Sequence, residues 1–236
     1  MNDKCTLLKG LVGSHVYGYA TESSDKDYMS VYLSPLDHYF GLNRSSTSMS
    51  VTDSEDNCEY EFLKFVKLCS SFNPNVIPLL WSNKETQSDN WDLALELINN
   101  RHLFVTKLAY NTLVGYSVSQ REKARKLVTG KLGEKRKGLI EKYGFDVKAA
   151  AHTVRLLKTA EHLFKYNEVK LDVAAEECAE YRSGKYSWED FEDRFEVLKK
   201  RVDLSCQDST LPEKPDMDKV NDLCVNVLKC FHFKEN

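Results

Sequence analysis

The sequence predicts an α+β fold in which a small sheet is followed by a helical body. Short β-compatible stretches separated by Gly, Ser, Asp and Pro occupy residues 5–60, which is typical of a small sheet with tight connections. From Glu61 onward the apolar residues repeat at helical spacing. The length of 236 residues allows one large domain or two small ones.

The individual elements follow from the same patterns. Strands are predicted over 6–12, 28–33, 48–52 and 58–60. Helices are predicted over 62–69, 76–81, 91–98, 102–128, 146–166, 173–183, 187–204 and 216–231. The polar residues 82–90 predict a linker, with Asp89 as the N-cap of the helix that follows. We therefore divide the chain into a head, residues 1–85, and a helical domain, residues 86–236.

Composition excludes several classes of protein. The hydrophobic fraction of 42% and the charged fraction of 29% are typical of a soluble globular protein. No apolar stretch is long enough to span a membrane, and the start Met1-Asn2-Asp3-Lys4 lacks the layout of a secretory signal. The seven cysteines contain no CxxC pair, which fits reduced thiols better than disulfides or a structural zinc. We expect a cytoplasmic protein.

Positive charge is concentrated in residues 121–142. This segment holds nine Lys or Arg against three Glu, although the whole chain has a net charge of −3. Such a segment could contact the phosphates of RNA. It could equally be the solvated face of a helix-loop-helix that happens to be basic.

Two aspartates close the most informative run of the chain, which reads GSHVYGYATESSDKDY over residues 13–28. If residues 25–33 form a strand, Asp25 and Asp27 point to the same face about 6.5 Å apart. That spacing would let both carboxylates bind one or two divalent cations. The alternative is an ordinary polar turn formed by Ser23, Ser24 and Asp25.

Gly13 and Ser14 form a predicted turn after the first strand. Backbone N–H groups at such a turn, beside a residue small enough to let phosphates approach, can hold a triphosphate. Ser14 adds a hydroxyl, and His15 either contacts the nucleotide or caps and supports the short helix that follows. Nucleotidyl transfer needs such a turn next to carboxylates that hold two metal ions.

The run resembles the G-S and D-x-D signature of the DNA polymerase β-like nucleotidyltransferase superfamily. It is most similar to the predicted nucleotidyltransferases of bacteria and their large phages, which are related to the RNA-repair-pathway branch. The resemblance extends along nearly the whole chain, through Glu61-Phe62-Leu63-Lys64-Phe65, Asn73-Pro74-Asn75-Val76, Gly115-Tyr116-Ser117 with Gln120, Lys148 with His152 and Arg155-Leu156-Leu157, Arg182-Ser183-Gly184, and Leu211-Pro212-Glu213-Lys214-Pro215-Asp216.

The resemblance implies a mixed-sheet catalytic head that depends on Mg²⁺, with two ions, and transfers a nucleoside monophosphate from an NTP. It places such a protein in the cytoplasm of a bacterium or of a phage-infected host. It also implies a third carboxylate on a strand after the D-x-D strand. Asp56 is the predicted residue because it precedes the run Tyr60-Glu61-Phe62, with Glu59 and Glu61 as alternatives.

Three cationic or titratable residues share one face of a predicted helix. Lys148, His152 and Arg155 follow one another at helical spacing. Together they would suit a triphosphate or an acceptor phosphate, since Arg binds phosphate bidentately. A partly buried histidine paired with a neighbouring acid is the alternative.

The sequence therefore predicts a Mg²⁺-dependent nucleotidyltransferase. Asp25, Asp27 and Asp56 are the predicted metal ligands, and Gly13, Ser14 and His15 are predicted to bind the triphosphate with the three residues of the later helix. The acceptor hydroxyl could belong to an RNA end, a protein or a small molecule. The alternative function is a noncatalytic nucleotide- or RNA-binding protein that retains the fold.

Overall fold

The computed structural model describes residues 4–22, 24–40, 49–51, 57–125 and 134–233. Its strands are β1 (Cys5–Leu11), β2 (Tyr28–Leu33), β3 (Met49–Val51) and β4 (Asn57–Glu61). The α-helices are α1 (Leu36–Phe40), α2 (Phe62–Ser70), α3 (Trp91–Asn99), α4 (Ala109–Arg125), α5 (Glu134–Tyr143), α6 (Val147–Tyr166), α7 (Ala175–Arg182), α8 (Trp188–Asp208) and α9 (Met217–Phe233). Short 3₁₀ turns cover Gly13–His15, Ile77–Leu80 and Arg101–Phe104. The predicted α+β class is confirmed.

The four strands form one mixed sheet in the order β1-β2-β4-β3. β2 pairs antiparallel with β1 and parallel with β4, and β3 pairs antiparallel with β4. A register shift between Thr6 and Leu8 accompanies the burial of two consecutive residues, Leu7 and Leu8. Val31 and Leu33 of β2 are buried beside them in the core. All four strands lie close to their predicted positions.

Residues 82–90, which the sequence predicts to be a linker, run beside β1 instead. Lys9 and Gln87 exchange two backbone hydrogen bonds of 2.8 Å. The Asp89 carboxylate accepts a hydrogen bond of 2.7 Å from the backbone N–H of Thr6, and Asn90 is the residue that caps α3. The linker prediction was wrong because this pairing is made by backbone groups of polar residues, which leave no apolar period in the sequence.

The helix predictions differ from the structure at the start of one helix and in two helices that they lack. The helices predicted over 146–166, 173–183, 187–204 and 216–231 are confirmed as α6 to α9. The helix predicted over 102–128 was wrong at its start, because α4 begins only at Ala109. A 3₁₀ turn over Arg101–Phe104 comes first, and Val105 then adopts an extended backbone, with φ of −90° and ψ of 98°. The five-residue helix α1 and the ten-residue helix α5 were not predicted.

Contacts within the chain define two compact units. The sheet unit holds the described residues of Met1–Val16, Glu22–Thr106 and Pro212–Asn236, and the helical unit holds those of Tyr17–Thr21 and Lys107–Leu211. These units do not coincide with the division at residue 85. The sheet unit includes α3 and α9, and the short segment Tyr17–Thr21 belongs to the helical unit although it lies early in the sequence.

The helical unit is built around α6, which packs against α4, α5, α7 and α8. Most side chains of α6 are buried. Asp146 caps its first turn by accepting hydrogen bonds of 3.1 Å from the N–H groups of Lys148 and Ala149. The same carboxylate forms an ion pair of 2.5 Å with Arg136 on α5. This arrangement fixes the start of the helix that carries His152 and Arg155.

Within the part of the chain that the structure describes, no helix combines the length and the apolar character needed to cross a membrane.

Candidate metal and nucleotide site

The turn predicted to bind phosphates lies directly after β1. Gly13 adopts a positive φ of 67°, which opens a 3₁₀ turn over Gly13–His15. The N–H of Val16 donates to the carbonyl of Gly13 at 3.1 Å and closes the turn. The N–H of Val12 donates to the carbonyl of Asp27 at 2.8 Å. Backbone hydrogen bonds thus hold the start of the turn against the residue that precedes β2.

Asp27 packs directly on the glycine of this turn. A Cβ atom added to Gly13 would overlap Oδ2 of Asp27, and would lie 3.1 Å from its Cγ and 3.3 Å from its Cβ. Only glycine leaves room for the carboxylate here, and only glycine adopts this φ without strain. The close contact between residue 13 and the Asp27 carboxylate therefore requires glycine at position 13.

The two aspartates precede β2 rather than belonging to it. The strand begins at Tyr28, as in the predicted range 28–33, so the condition that residues 25–33 form a strand is not met. Pairing with β1 ends at Leu11, which lies opposite Tyr28, because Gly13 then turns the chain away. Asp25 is exposed and Asp27 is half-buried. Their side chains are therefore placed by the connection into β2 and not by the alternation of a strand.

The predicted third acid, Asp56, lies outside the described residues. The parallel register pairs Tyr28 with Asn57, the residues that directly follow Asp27 and Asp56 in the sequence. In the described ranges no group of three or more His, Cys, Asp or Glu side chains could hold a metal ion. That search does not include Asp56, so the predicted set of three ligands stays a prediction.

Both alternative acids have other partners in the sheet unit. Glu59 forms an ion pair of 2.6 Å with Lys4. Glu61 is fully buried, caps α2 by accepting from the N–H of Lys64, and accepts a hydrogen bond of 2.7 Å from the hydroxyl of Tyr39. Each carboxylate therefore has a structural role that does not require a metal ion.

His15 connects the turn to the segment before Asp25. Its Nε2 lies 3.2 Å from the carbonyl oxygen of Ser24, and its own carbonyl accepts a hydrogen bond of 2.8 Å from Nζ of Lys84. Glu85, beside Lys84, binds Lys26 at 2.6 Å and also accepts from the hydroxyl of Tyr28. Lys84 and Glu85 were missed by sequence reasoning because residues 82–90 read as a linker.

The helical unit places His152 and Arg155 in direct contact. Nη2 of Arg155 lies 2.6 Å from Nε2 of His152, and because Arg can only donate, the histidine nitrogen must accept. Arg155 is only 4% exposed, whereas Lys148 on the same helix is exposed. Lys148 is therefore accessible to solvent, whereas Arg155 is buried and the half-buried His152 contacts it.

Burial and the neighbouring cation keep His152 neutral. Burial, with further contributions from Arg155, Lys123 and Arg136, lowers the pKa of His152 from 6.5 to about 3. The unfolded chain would bind a proton below about pH 6.5, whereas the folded protein would not. This difference must weaken folding as the pH falls.

We expect the free energy of unfolding to fall by roughly 1.5 kcal/mol between pH 6.5 and pH 5 because of His152 alone, since the unfolded histidine is half protonated at about pH 6.5 and each further pH unit is worth at most about 1.4 kcal/mol. Urea denaturation at a series of pH values measures it, and His152→Gln should flatten the curve in this range. The exposed histidine substitution His102→Gln is the control and should leave the curve as in the wild type. A His152→Gln curve parallel to that of the wild type would contradict the assignment.

Part of the basic segment over 121–142 is neutralised inside the helical unit. Arg121 binds Glu192 through two hydrogen bonds of 2.8 and 2.5 Å, and Arg136 binds Asp146. Lys126 and Lys131 lie outside the described residues. The segment therefore offers fewer unpaired cations than its composition indicates.

Comparisons with known proteins agree with the motifs. A family model described as RlaP, the RNA repair pathway DNA polymerase beta family, matches residues 2–225. A curated relative, the "Uncharacterized 38.9 kDa protein in nrdC-mobD intergenic region" of Enterobacteria phage T4, is 28% identical over 112 residues. The match covers 43% of this chain and 33% of the phage protein, so the chain spans about a third of that relative. No solved structure matches.

Proposed function

The chain belongs to the RNA repair pathway DNA polymerase beta family, and we propose that it is a Mg²⁺-dependent nucleotidyltransferase. Family membership indicates a nucleotidyltransferase-like role. The proposed reaction moves a nucleoside monophosphate from an NTP to a hydroxyl acceptor and releases pyrophosphate. The observation that supports it best is the packing of the Asp27 carboxylate on Gly13, which puts a carboxylate oxygen beside the turn that is proposed to bind phosphate.

In this proposal, the metal ligands are Asp25, Asp27 and Asp56. All three offer carboxylate oxygens, the donors that Mg²⁺ prefers in proteins. Asn57, which follows Asp56, pairs with Tyr28, which follows Asp27, and this register supports the choice of Asp56. Bound Mg²⁺ would polarise the α-phosphate and stabilise the charge that develops on the attacking and leaving oxygens.

The turn over Gly13–His15 would bind the triphosphate. Its backbone N–H groups and the hydroxyl of Ser14 are donors for the β- and γ-phosphates. His15 already lies against the carbonyl of Ser24, which supports a role in fixing the shape of the turn, and its contact with the nucleotide is part of the proposal.

The acceptor hydroxyl oxygen would attack the α-phosphorus while the bond to pyrophosphate breaks. One carboxylate must take the proton of the hydroxyl, and Asp56 is the proposed base. Lys148, His152 and Arg155 are the proposed phosphate-binding group of the helical unit. Lys148 is the exposed member of this group and is proposed to bind a phosphate of the nucleotide or of the acceptor, and Arg155 adds positive charge from its buried position on the same helix.

An assay with each of the four NTPs, labelled at the α-phosphate, tests the proposal. The protein is incubated in cell lysate with Mg²⁺ or with EDTA, and RNA, protein and small molecules are then separated. We expect label in one fraction, pyrophosphate release, and loss of both with EDTA. Nucleotide binding without pyrophosphate release in any fraction would favour the noncatalytic nucleotide-binding protein. Salt-sensitive RNA binding without transfer would favour the RNA-binding protein.

A further inference from the structure

The peptide that joins Ser14 to Asp25 is anchored in the helical unit by two arginines. The guanidinium of Arg155, from α6, lies 3.9 Å from the centre of the Tyr17 ring. The rings of Tyr17 and Tyr19 are nearly parallel, at 13°, with centres 6.2 Å apart. Arg182, at the end of α7, lies 5.7 Å from the centre of the Tyr19 ring and donates a hydrogen bond of 3.4 Å to its carbonyl oxygen. We call this group of four residues the tyrosine clamp.

A close backbone approach supports the same anchoring. Gly18, between the two tyrosines, has a φ of 77°, and a Cβ at this position would lie 3.2 Å from Cβ of Ala175 on α7. A residue with a Cβ would be strained at this φ and would need its neighbour on the helix to shift by a few tenths of an ångström. Tyr17 is also 5% exposed, so its ring is packed and not merely resting on the surface. The segment over residues 17–19 is therefore packed in a fixed position within the helical unit.

The buried positive charge of Arg155 needs stabilising contacts within the helical unit. Arg155 is buried, its Nε has no hydrogen-bond partner, and no described carboxylate lies within ion-pair distance of it. Burial raises the pKa of Tyr17 and raises that of Tyr19 to about 12, so neither phenol is a negative partner at neutral pH. The face of the Tyr17 ring then adds an attractive surface for the guanidinium, beside the His152 nitrogen that accepts its hydrogen bond.

We propose that Arg155 and Arg182 are positioning residues, which hold Tyr17 and Tyr19 and so fix the peptide between the phosphate-binding turn and the metal-binding aspartates. The inference rests on the proposed function for the roles of Ser14 and Asp25. The two ends of the peptide are the proposed site residues, and its middle is seated on α6 and α7. Loosening the middle lets both ends move, and the alignment of nucleotide and metal is lost.

Amide hydrogen exchange and transfer kinetics test the inference together. Arg182→Ala and Tyr19→Leu each remove one side of a half-buried contact, which makes them safer variants than changes at Arg155. We expect exchange of residues 17–21 to rise roughly two- to fivefold, the range that a partly exposed cation–π contact supports. Exchange in the flanking peptides over 13–15 and 24–27 should rise with it. The transfer kcat should fall about tenfold while KM for the NTP changes less than about twofold.

Two further variants separate positioning from simple packing. Tyr19→Phe keeps the ring and should retain both the slow exchange and the wild-type kcat. Lys165→Ala removes another cation over a tyrosine, 5.2 Å from the ring of Tyr166 on the same α6, and should change neither measurement. Loss of kcat in Tyr19→Phe equal to that in Tyr19→Leu would overturn the role of the ring.

Three further results would overturn the clamp, its positioning role or the proposed function. Unchanged exchange of residues 17–21 in both Arg182→Ala and Tyr19→Leu would overturn the clamp. Faster exchange confined to 17–21, with the flanking peptides and kcat unchanged, would overturn the positioning role. If the wild-type protein transfers no nucleotide at all, the proposed function fails by itself, and exchange in the flanking peptides still decides whether the clamp controls their mobility.

Discussion

Replacing both Asp25 and Asp27 with asparagine should reduce Mg²⁺-dependent nucleotide transfer by at least about 10³-fold, because loss of one preorganised electrostatic group typically costs 10²–10³ in kcat. Asparagine keeps the shape of each side chain but removes the negative charge that would hold the metal ion. Asp25 is exposed and Asp27 is half-buried, so the far-UV circular dichroism should not change. Transfer of label from an α-labelled NTP measures the effect.

The matched control for this double variant is Glu22→Gln. Glu22 is an exposed acid in the same run that has no proposed part in metal binding, and it should retain wild-type transfer. The single variants show whether the two carboxylates act together, in which case each alone should lose nearly as much activity as the pair. Transfer that survives in the double variant at the wild-type rate would rule out this pair as the metal site.

Local sequence patterns were sufficient to predict most of the fold. The long helices α6, α8 and α9 carry strong apolar periods, and the strand over Tyr28–Leu33 was predicted with its observed bounds. The failures occur where tertiary contacts override local pattern. The segment beside β1 is fixed by backbone bonds such as those of Gln87 to Lys9, which leave no trace in side-chain periodicity. The helix α4 starts later than predicted because the chain is extended at Val105, where no Gly or Pro in the sequence indicates a break.

The candidate site was predictable only in part. The sequence predicted Gly13 and Asp27 as site residues. It did not show that the Asp27 carboxylate packs on Gly13. It also grouped His152 and Arg155 on one helix face, but could not show that Arg155 is buried against the ring of Tyr17, more than a hundred residues earlier. The rings of the tyrosine clamp meet their arginines through long-range contacts, which spacing along the chain does not encode. A glycine between two aromatic residues, as at Gly18, was the available signal of a close approach.

Substituting Gly13 with alanine should both destabilise the protein and inactivate it. The left-handed φ of 67° costs a residue with a Cβ about 1–2 kcal/mol, and the added methyl would overlap Oδ2 of Asp27. Relief of the overlap requires the turn or the carboxylate to move, and either movement separates the N–H groups proposed to bind phosphate from the proposed metal ligand. We expect the free energy of unfolding to fall by roughly 1–3 kcal/mol and the transfer kcat to fall at least about 10²-fold.

Gly115→Ala is the control that shows what a glycine-to-alanine substitution does to stability and activity where there is no close contact. Gly115 lies on the exposed side of α4, and an added Cβ would have no atom within 4 Å, so alanine there should stabilise the protein by about 0.5–1 kcal/mol and leave transfer intact. Urea denaturation and the transfer assay measure both variants. If Gly13→Ala lost only stability and kept its kcat at temperatures where it is folded, the contact between the turn and Asp27 would have no part in the reaction. Loss of kcat in a fully folded Gly13→Ala protein, with Gly115→Ala active, ties the activity to that contact.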